Sequence, residues 1–471
     1  MQIFVFNTLT GKKDPLPYKK ELKFFVCGPT VYDYPHIGNA RTYLAFDIIV
    51  LYLRSIGIKI FYLQNITDID DKIINRAREE RTTAKKIALT YEKIYHANEK
   101  ALGITAVTKY ARATAYIKEI VKQVQTLLKK GYAYKIDDGY YFNLSKFSDY
   151  GKLSKRTTEQ ANDAVSRIDE GVHKKNKGDF VLWKFVSKDA ALKGEPRQWR
   201  EPSWKTPLGE GRPGWHIEDT AISEKFFGPQ YDIHGGAVDL KFPHHEAEIA
   251  QQESASGKKP FVQLWMHTGF LLVNGQKMSK SLKNFTSITD FLKKYPAELF
   301  RYIVASHHYR SPIDFNDALV IQARQSLARI TNALARLSLI KKSGSLTSGT
   351  TSLIAQAHKQ FTDAMADDFN TPLALASLFK LINSIEPKIW SLTKSEAQAL
   401  STYIVETLTS LGFTFKKSHQ IPSSVKMLVK KRELCRIHKQ FTQSDALRKE
   451  IEALGYIIED TPAGPLVLKK N

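Results

Sequence analysis

Residues 23–41 read KFFVCGPTVYDYPHIGNAR, and they predict the central part of the fold. Its apolar beginning predicts a buried strand over 23–28, and the Gly-Pro turn leads into a helical pattern from Gly38 to Ser55. Another apolar run, over 58–65, completes a strand, helix, strand unit. Such units build parallel sheets that bind ligands beyond the carboxyl ends of their strands. The sequence therefore predicts an α/β fold with a ligand site at the turn after the first strand.

The composition of the whole chain indicates several folded domains and an acidic partner. With 471 residues the chain is too long for one hydrophobic core, and hydrophobic residues make up 42% of it. The 70 Lys and Arg outnumber the 48 Asp and Glu, giving a formal net charge of +22. This excess favours a polyanionic partner such as nucleic acid, with a basic surface kept for solubility as the alternative.

Cysteine usage and the N-terminal sequence predict a cytoplasmic protein. The two cysteines, Cys27 and Cys435, fit a reduced setting better than a disulfide framework. The first residues lack a basic segment followed by an apolar signal core, and no run of about 18 apolar residues occurs. We therefore expect no membrane association.

Two polar clusters carry the candidate chemistry. At the predicted helix start, backbone N–H groups and the side chains of His36 and Asn39 can bind a phosphate, which the positive end of the helix dipole favours. Residues 277–281 read KMSKS, so Lys277 and Lys280 lie on a predicted loop where they can neutralise a leaving pyrophosphate. Alone, His36 would more often be a capping or core histidine, and the lysines a solvated loop.

Together the two clusters resemble the HIGH and KMSKS signatures of class I aminoacyl-tRNA synthetases, with Asn39 in place of the second histidine. The resemblance narrows to the cysteinyl-tRNA synthetase family and covers nearly the whole chain. It extends over NITDIDDK (65–72), GRPGWHIE (211–218), DIHGG (232–236), FPHHE (242–246), DDFNTP (367–372) and EDTP (459–462).

The resemblance implies six segments built around a Rossmann-like parallel sheet. They are the first half of the catalytic domain (1–125), a connective insertion (126–212), the second half of the catalytic domain (213–265), a KMSKS-bearing region that contacts the tRNA stem (266–315), an α-helical bundle that binds tRNA (316–411) and a small basic C-terminal anticodon-binding module (412–471). Within them, the residue pattern over 83–130 predicts helical structure.

The resemblance also implies the reaction and its substrates. L-cysteine would be activated with ATP and Mg²⁺ to cysteinyl adenylate, then transferred to the 3′ terminal adenosine of tRNA(Cys). By resemblance, His36, Asn39, Lys277 and Lys280 would be catalytic, and with Gly38 they would bind ATP. The cysteine pocket would contain Gly28, Thr67, Trp215 and His234, and the protein would be a monomer. Plain core packing is the alternative for Trp215.

A metal site is expected beside this pocket. His244 and Glu248 lie four residues apart on a predicted helix, so they can hold one metal from a single face, although such pairs are more often surface hydrogen bonds. The family holds zinc with two Cys, one His and one Glu, and the matching residues here are Cys27, Asp219, His244 and Glu248. Asp219 replaces the second cysteine, and carboxylates are accepted zinc ligands. A weakened site, or a pocket that selects cysteine without metal, is the alternative.

Two other functions remain open from the sequence. A ligase of the same fold would join cysteine to a small amine, and a synthetase-derived RNA-binding protein would have no activity. The matches at 367–372 and 459–462 argue against the first, and the intact motif residues argue against the second. The chain ends in GPLVL (464–468) where relatives often have a Gly-Thr-x-Trp-Arg stretch, so no anticodon-reading residue is assigned.

Overall fold

A computed structural model of the protein describes residues 2–17, 19–156, 173–186, 201–278, 284–414 and 421–469. The chain divides into two compact units, the first with residues 1–297 and 309–314 and the second with residues 298–308 and 315–471. No helix in these described ranges is both long and apolar enough to cross a membrane.

The strands in chain order are β1 (Phe4–Asn7), β2 (Lys12–Pro15), β3 (Glu21–Val26), β4 (Lys59–Ile66), β5 (Lys109–Arg112), β6 (Ala133–Ile136), β7 (Gly139–Phe142), β8 (Val181–Phe185), β9 (Trp204–Thr206), β10 (Gly209–Pro213), β11 (Tyr231–Ala237), β12 (Val262–Thr268), β13 (Leu271–Val273), β14 (Gln276–Lys277), β15 (Ile313–Phe315), β16 (Tyr456–Thr461) and β17 (Gly464–Lys469). The α-helices are α1 (Ile37–Ser55), α2 (Asp71–Glu79), α3 (Ala84–Ala101), α4 (Ile117–Lys129), α5 (Trp215–Phe227), α6 (His244–Ser256), α7 (Ile288–Lys294), α8 (Ala297–Ala305), α9 (Asp317–Ser338), α10 (Ser348–Ala366), α11 (Thr371–Ile385), α12 (Lys394–Ser410), α13 (Ser423–Ile437) and α14 (Phe441–Ala453).

A five-stranded parallel sheet lies at the centre of the first unit, in the order β12, β11, β3, β4, β5. The predicted strand, helix, strand unit is present as β3, α1 and β4. Strand β3 ends in an apolar run, Phe24, Phe25 and Val26, and all three side chains are fully buried. The chain first adds β4 and β5 on one side of β3 and later β11 and β12 on the other. The order therefore reverses between β3 and β11, where parallel sheets bind ligands.

The prediction of helical structure over 83–130 is wrong in the middle of that range. Helix α3 ends at Ala101, and β5 (Lys109–Arg112) joins the edge of the parallel sheet before α4 begins. Only Ala111 of this strand is buried, so the four residues show no alternation of apolar and polar side chains. These residues form a strand because they pair with β4, and the local sequence does not encode that pairing.

The region predicted as an insertion contains a second sheet. Its strands follow the order β6, β7, β8, β10, β9, and every pair in it is antiparallel. The strand-like piece at 140–144 corresponds to β7, which spans Gly139–Phe142. The segment boundaries drawn from the sequence stay predictions.

The second unit is helical and ends in a small hairpin. Helices α9 to α12 include the predicted bundle, and the predicted Ser/Gly-rich break at 343–352 covers the end of the loop after α9 and the first turn of α10. At the end of the chain, β16 and β17 form an antiparallel pair. Val425, Val429, Ile451 and Ile458 form a small buried cluster that joins this hairpin to α13 and α14.

A capping box at the start of α12 makes the stability of the second unit depend on pH. The Thr393 N–H donates to Glu396 Oε2 (2.9 Å), while the hydroxyls of Thr347 and Thr350 donate to Glu396 Oε1. These hydrogen bonds lower the pKa of Glu396 from 4.5 to about 2, and the bond from Thr347 makes the largest contribution. The unfolded carboxyl takes up its proton first, so the stabilisation is complete above pH 4.5 and is lost as the pH falls toward 2.

We expect Glu396→Gln to lower the free energy of unfolding by about 1–3 kcal/mol at pH 7, because charge-assisted bonds are replaced by neutral ones. The difference from the natural chain is expected to shrink as the pH falls from 4.5, which urea denaturation at a series of pH values measures. Glu406→Gln, at an exposed position of the same helix, is the control. A difference that does not change with pH would contradict the assignment.

Candidate active site

Residues 36–39 read HIGN, and this HIGN turn is held by a reciprocal capping box at the start of α1. His36 is the N-cap residue, and its Nδ1 accepts a hydrogen bond from the Asn39 N–H (3.2 Å). The Asn39 Oδ1 in turn accepts from the His36 N–H (3.2 Å). Burial lowers the pKa of His36 from its usual 6.5, although Asp239 opposes this shift. A neutral ring with Nδ1 as acceptor carries its proton on Nε2, which can therefore donate to a phosphate.

Backbone hydrogen bonds tie the HIGN turn to the segment that follows the KMSKS motif. The Ile37 N–H donates to the Thr286 carbonyl (3.1 Å), and the Ile288 N–H donates to the Pro35 carbonyl (2.9 Å). The structure thus brings the flank of one predicted motif against the other, although more than 240 residues separate them in sequence.

The beginning of the KMSKS motif also lies at the HIGN turn. A Cβ added to Gly38 would lie 2.8 Å from the Met278 methyl carbon, so a larger residue at this position would displace Met278. Lys277 is exposed, and its Nζ lies 4.7 Å from the centroid of the Phe270 ring. Lys280 lies outside the described residues.

The four predicted metal ligands lie together, and all are buried. The ligand atoms of Cys27, Asp219, His244 and Glu248 are within 4.8 Å of one another. His244 Nε2 lies 3.1 Å from both Asp219 Oδ2 and Glu248 Oε1, which confirms that the i, i+4 pair shares one face of α6. The thiol follows β3, and the carboxylate of Asp219 comes from α5. Three separate elements therefore supply the group.

The electrostatics of this group favour a bound cation. Burial, and then the carboxylates of Glu248 and Asp219, raise the pKa of the Cys27 thiol well above its usual value. Burial and Asp219 likewise raise the pKa of Glu248. A divalent cation reverses both effects, because it stabilises the thiolate and the carboxylates. Sulfur, imidazole and carboxylate donors at this spacing fit zinc.

A second metal-competent group shares two members with the first. Cys27, His234, His245 and Glu248 also place their ligand atoms within 4.8 Å of one another. The Cys27 sulfur lies 3.2 Å from Nε2 of both His234 and His245. Burial lowers the pKa of both imidazoles well below the usual value, so they are neutral, the form that binds metals. No role for His245 could be predicted from the sequence.

The predicted pocket residues border this cluster. A Cβ on Gly28 would lie 1.7 Å from the Asn65 carbonyl oxygen, so only glycine allows this close approach. Buried Thr67 donates through its hydroxyl to Glu218 Oε2 (3.0 Å). Trp215 is 38% exposed and stacks on the His244 ring at 4.2 Å between centroids. The interpretation of Trp215 as plain core packing is therefore wrong.

Comparison with known proteins identifies the family. Residues 15–325 match the family described as tRNA synthetases class I (C) catalytic domain, and residues 360–416 match the DALR domain. The Cysteine--tRNA ligase of Thermococcus gammatolerans is 41% identical over 98% of both chains. That of Carboxydothermus hydrogenoformans is 40% identical, also over 98% of both. The chain belongs to the cysteine–tRNA ligase family.

Solved structures of other synthetases share the fold of this family member. A methionyl-tRNA synthetase of Mycobacterium tuberculosis in complex with methionyl-adenylate has a TM-score of 0.62 at 16% identity, covering 83% of this chain and 90% of its own. A putative arginyl tRNA synthetase of Campylobacter jejuni has a TM-score of 0.57 at 13% identity, covering 85% and 94%. The class I architecture predicted from the motifs is confirmed.

Three further residues of the family motifs contact the site without having been assigned a role. His245 contacts the Cys27 sulfur, Glu218 accepts the Thr67 hydrogen bond, and Asn65 donates to Asp219. All three occur in the stretches that resemble the family. A motif gives no distances, so only the folded chain distinguishes these contacts from neighbouring positions.

Proposed function

We propose that the protein activates L-cysteine with ATP and Mg²⁺ and transfers it to tRNA(Cys). The observation that carries this proposal is the meeting of the HIGN turn with Met278 of the KMSKS motif and with the segment that follows the motif. The full-length similarity to Cysteine--tRNA ligases supports the choice of amino acid and acceptor.

In the first step, the cysteine carboxylate attacks the α-phosphorus of ATP. A P–O bond to the carboxylate forms, the bond to the bridging oxygen breaks, and pyrophosphate leaves. His36 would donate its Nε2–H to the phosphate, with Asn39 beside it and the positive end of the α1 dipole favouring the negative charge. Lys277 and Lys280 would neutralise the pyrophosphate. Each such donor contributes about 2.7–4 kcal/mol of transition-state stabilisation.

In the second step, a ribose hydroxyl of the terminal adenosine attacks the carbonyl carbon of the adenylate, and AMP leaves. The net charge of +22 supports a tRNA partner, with Lys and Arg of the second unit contacting phosphates. Phe441, which is 60% exposed at the start of α14, is available to stack on an unpaired base. Monomeric state and cytoplasmic location remain predictions.

Cys27, Asp219, His244 and Glu248 would hold one zinc ion, through which cysteine would be distinguished from serine. When bound, zinc supplies a ligand position for the substrate sulfur and lowers the pKa of that thiol. The pocket residues Gly28, Thr67, Trp215 and His234 would orient the rest of the amino acid. A pocket wall alone separates near-isosteric substrates by only about 1–3 kcal/mol, so a sulfur-specific ligand is needed.

Three measurements on the purified chain test the proposal: ATP–pyrophosphate exchange with cysteine or serine, aminoacylation of tRNA(Cys), and elemental analysis. We expect exchange with cysteine only, aminoacylation of the tRNA, and one zinc per chain. Cysteine-dependent exchange without tRNA charging would favour the ligase that acts on a small amine. RNA binding without exchange would favour the inactive derivative.

A further inference from the structure

Asn65 connects the two sides of the candidate metal site. This residue lies near the end of β4, is 2% exposed, and accepts a hydrogen bond from the Gly28 N–H through its Oδ1. Its Nδ2 makes a short hydrogen bond to Asp219 Oδ1 and lies 3.4 Å from the Thr67 hydroxyl oxygen. The side chain therefore links the residue after Cys27 to the residue that replaces the family's second cysteine.

The orientation of this amide is determined by its partners. The backbone N–H of Gly28 can only donate, so the amide oxygen of Asn65 must face it. The NH₂ group then faces Asp219, which as a carboxylate can only accept. If the amide were flipped, its NH₂ group would face the Gly28 N–H, and its oxygen would face the Asp219 carboxylate. The observed orientation is therefore the one that satisfies both partners.

The hydrogen bond gives the two Asp219 oxygens different roles. Oδ1 is occupied by Asn65, whereas Oδ2 lies 3.1 Å from His244 Nε2 inside the ligand group. A cysteine at this position would offer a single ligand atom, its sulfur. A carboxylate has two oxygens and can rotate or bind through both, so a ligand of this type gains from a partner that fixes one oxygen.

We propose that Asn65 is a positioning residue that makes Asp219 a metal ligand through Oδ2 alone. The inference rests on the proposed zinc role of Cys27, Asp219, His244 and Glu248. The neutral amide stabilises the carboxylate without adding a cation that would compete with the metal. Because the same amide binds the Gly28 N–H, it also fixes the distance between the turn that carries Cys27 and α5.

The second metal-competent group, which includes His234 and His245, is not positioned by Asn65. Neither imidazole contacts Asn65 in the described residues.

A double-mutant cycle on the zinc dissociation constant tests this role. Zinc affinity is measured by competition with a chromophoric chelator for the natural chain, Asn65→Ala, Asp219→Cys and the double variant. We expect Asn65→Ala to weaken zinc binding about 10–100-fold in the natural background, the cost of removing a partner that orients a metal ligand. In the Asp219→Cys background we expect a loss of less than about threefold, because one sulfur needs no orientation.

Two further variants test whether the effect depends on the amide of Asn65 itself. Asn65→Asp keeps the shape and the acceptor for Gly28 but opposes Asp219 with a second carboxylate, so we expect it to weaken zinc at least as much as Asn65→Ala. Asn98→Ala removes another buried asparagine of the same unit and is expected to leave zinc affinity unchanged. An equal loss from Asn65→Ala in both backgrounds, or no loss in the natural one, overturns the inference.

Failure of the inference and failure of the proposed function give different results. A natural chain that binds zinc and activates cysteine, with Asn65→Ala unchanged in zinc affinity, overturns the role of Asn65 alone. A natural chain that activates cysteine without binding zinc overturns both the zinc site and the role of Asn65. Loss of zinc only from His234→Ala and His245→Ala, with Asp219→Ala unaffected, would locate the metal in the second group and also overturn the inference.

Discussion

The Cys27→Ala variant is expected to lose cysteine-dependent ATP–pyrophosphate exchange by at least ~10³-fold in kcat/KM and to purify without zinc. Cys27 is the sole sulfur donor of both metal-competent groups, so its removal leaves three donors in either. The loss also leaves the carboxylates of Asp219 and Glu248 buried together without a compensating charge. Exchange kinetics and elemental analysis of the same preparation measure both effects.

The chain supplies a matched control for this experiment. Cys435 is its other cysteine; it lies on α13, in the second unit, and is only partly buried. Cys435→Ala is expected to keep both zinc and exchange at the level of the natural chain. If Cys27→Ala retains cysteine selectivity over serine, the metal explanation of specificity fails, whereas the assignment to the family stands.

Replacement of His36 by asparagine is expected to lower kcat/KM for ATP about 10²–10³-fold, the usual cost of removing one donor to a developing charge. The Nε2–H of the neutral imidazole is the group that is lost. Asparagine is among the best N-cap residues, so the start of α1 keeps its cap and the free energy of unfolding is expected to change by less than about 1 kcal/mol. Steady-state exchange kinetics and urea denaturation separate the two effects.

A capping variant away from the site provides the comparison. The Thr83 side chain caps α3 by accepting from the Lys86 N–H (3.2 Å). Thr83→Ala is expected to cost about 1 kcal/mol of stability without affecting exchange. If His36→Asn behaves like Thr83→Ala, with stability reduced and kinetics intact, His36 is a structural cap only.

Much of the central fold could be predicted from local patterns, because those patterns encode it. Strand β3 ends in an apolar run over 24–26, and α1 follows a turn with a polar N-cap, so both elements lie close to their predicted ranges. Strand β5 could not be predicted, since its four residues include one buried side chain and, within the described part of the chain, pair with β4 alone. An edge strand of this length gains its stability from pairing rather than from its own sequence.

The family, the reaction and the i, i+4 pair of His244 and Glu248 could be predicted from the sequence alone, because motifs and helical spacing are local properties. The tertiary structure decided which distant groups meet. The sulfur of Cys27 contacts His245 across 218 residues, and the amide of Asn65 contacts Asp219 across 154. The physical reason is the parallel sheet, which brings the carboxyl ends of β3, β4 and β11 to one edge and so assembles a site from side chains that no sequence window contains together.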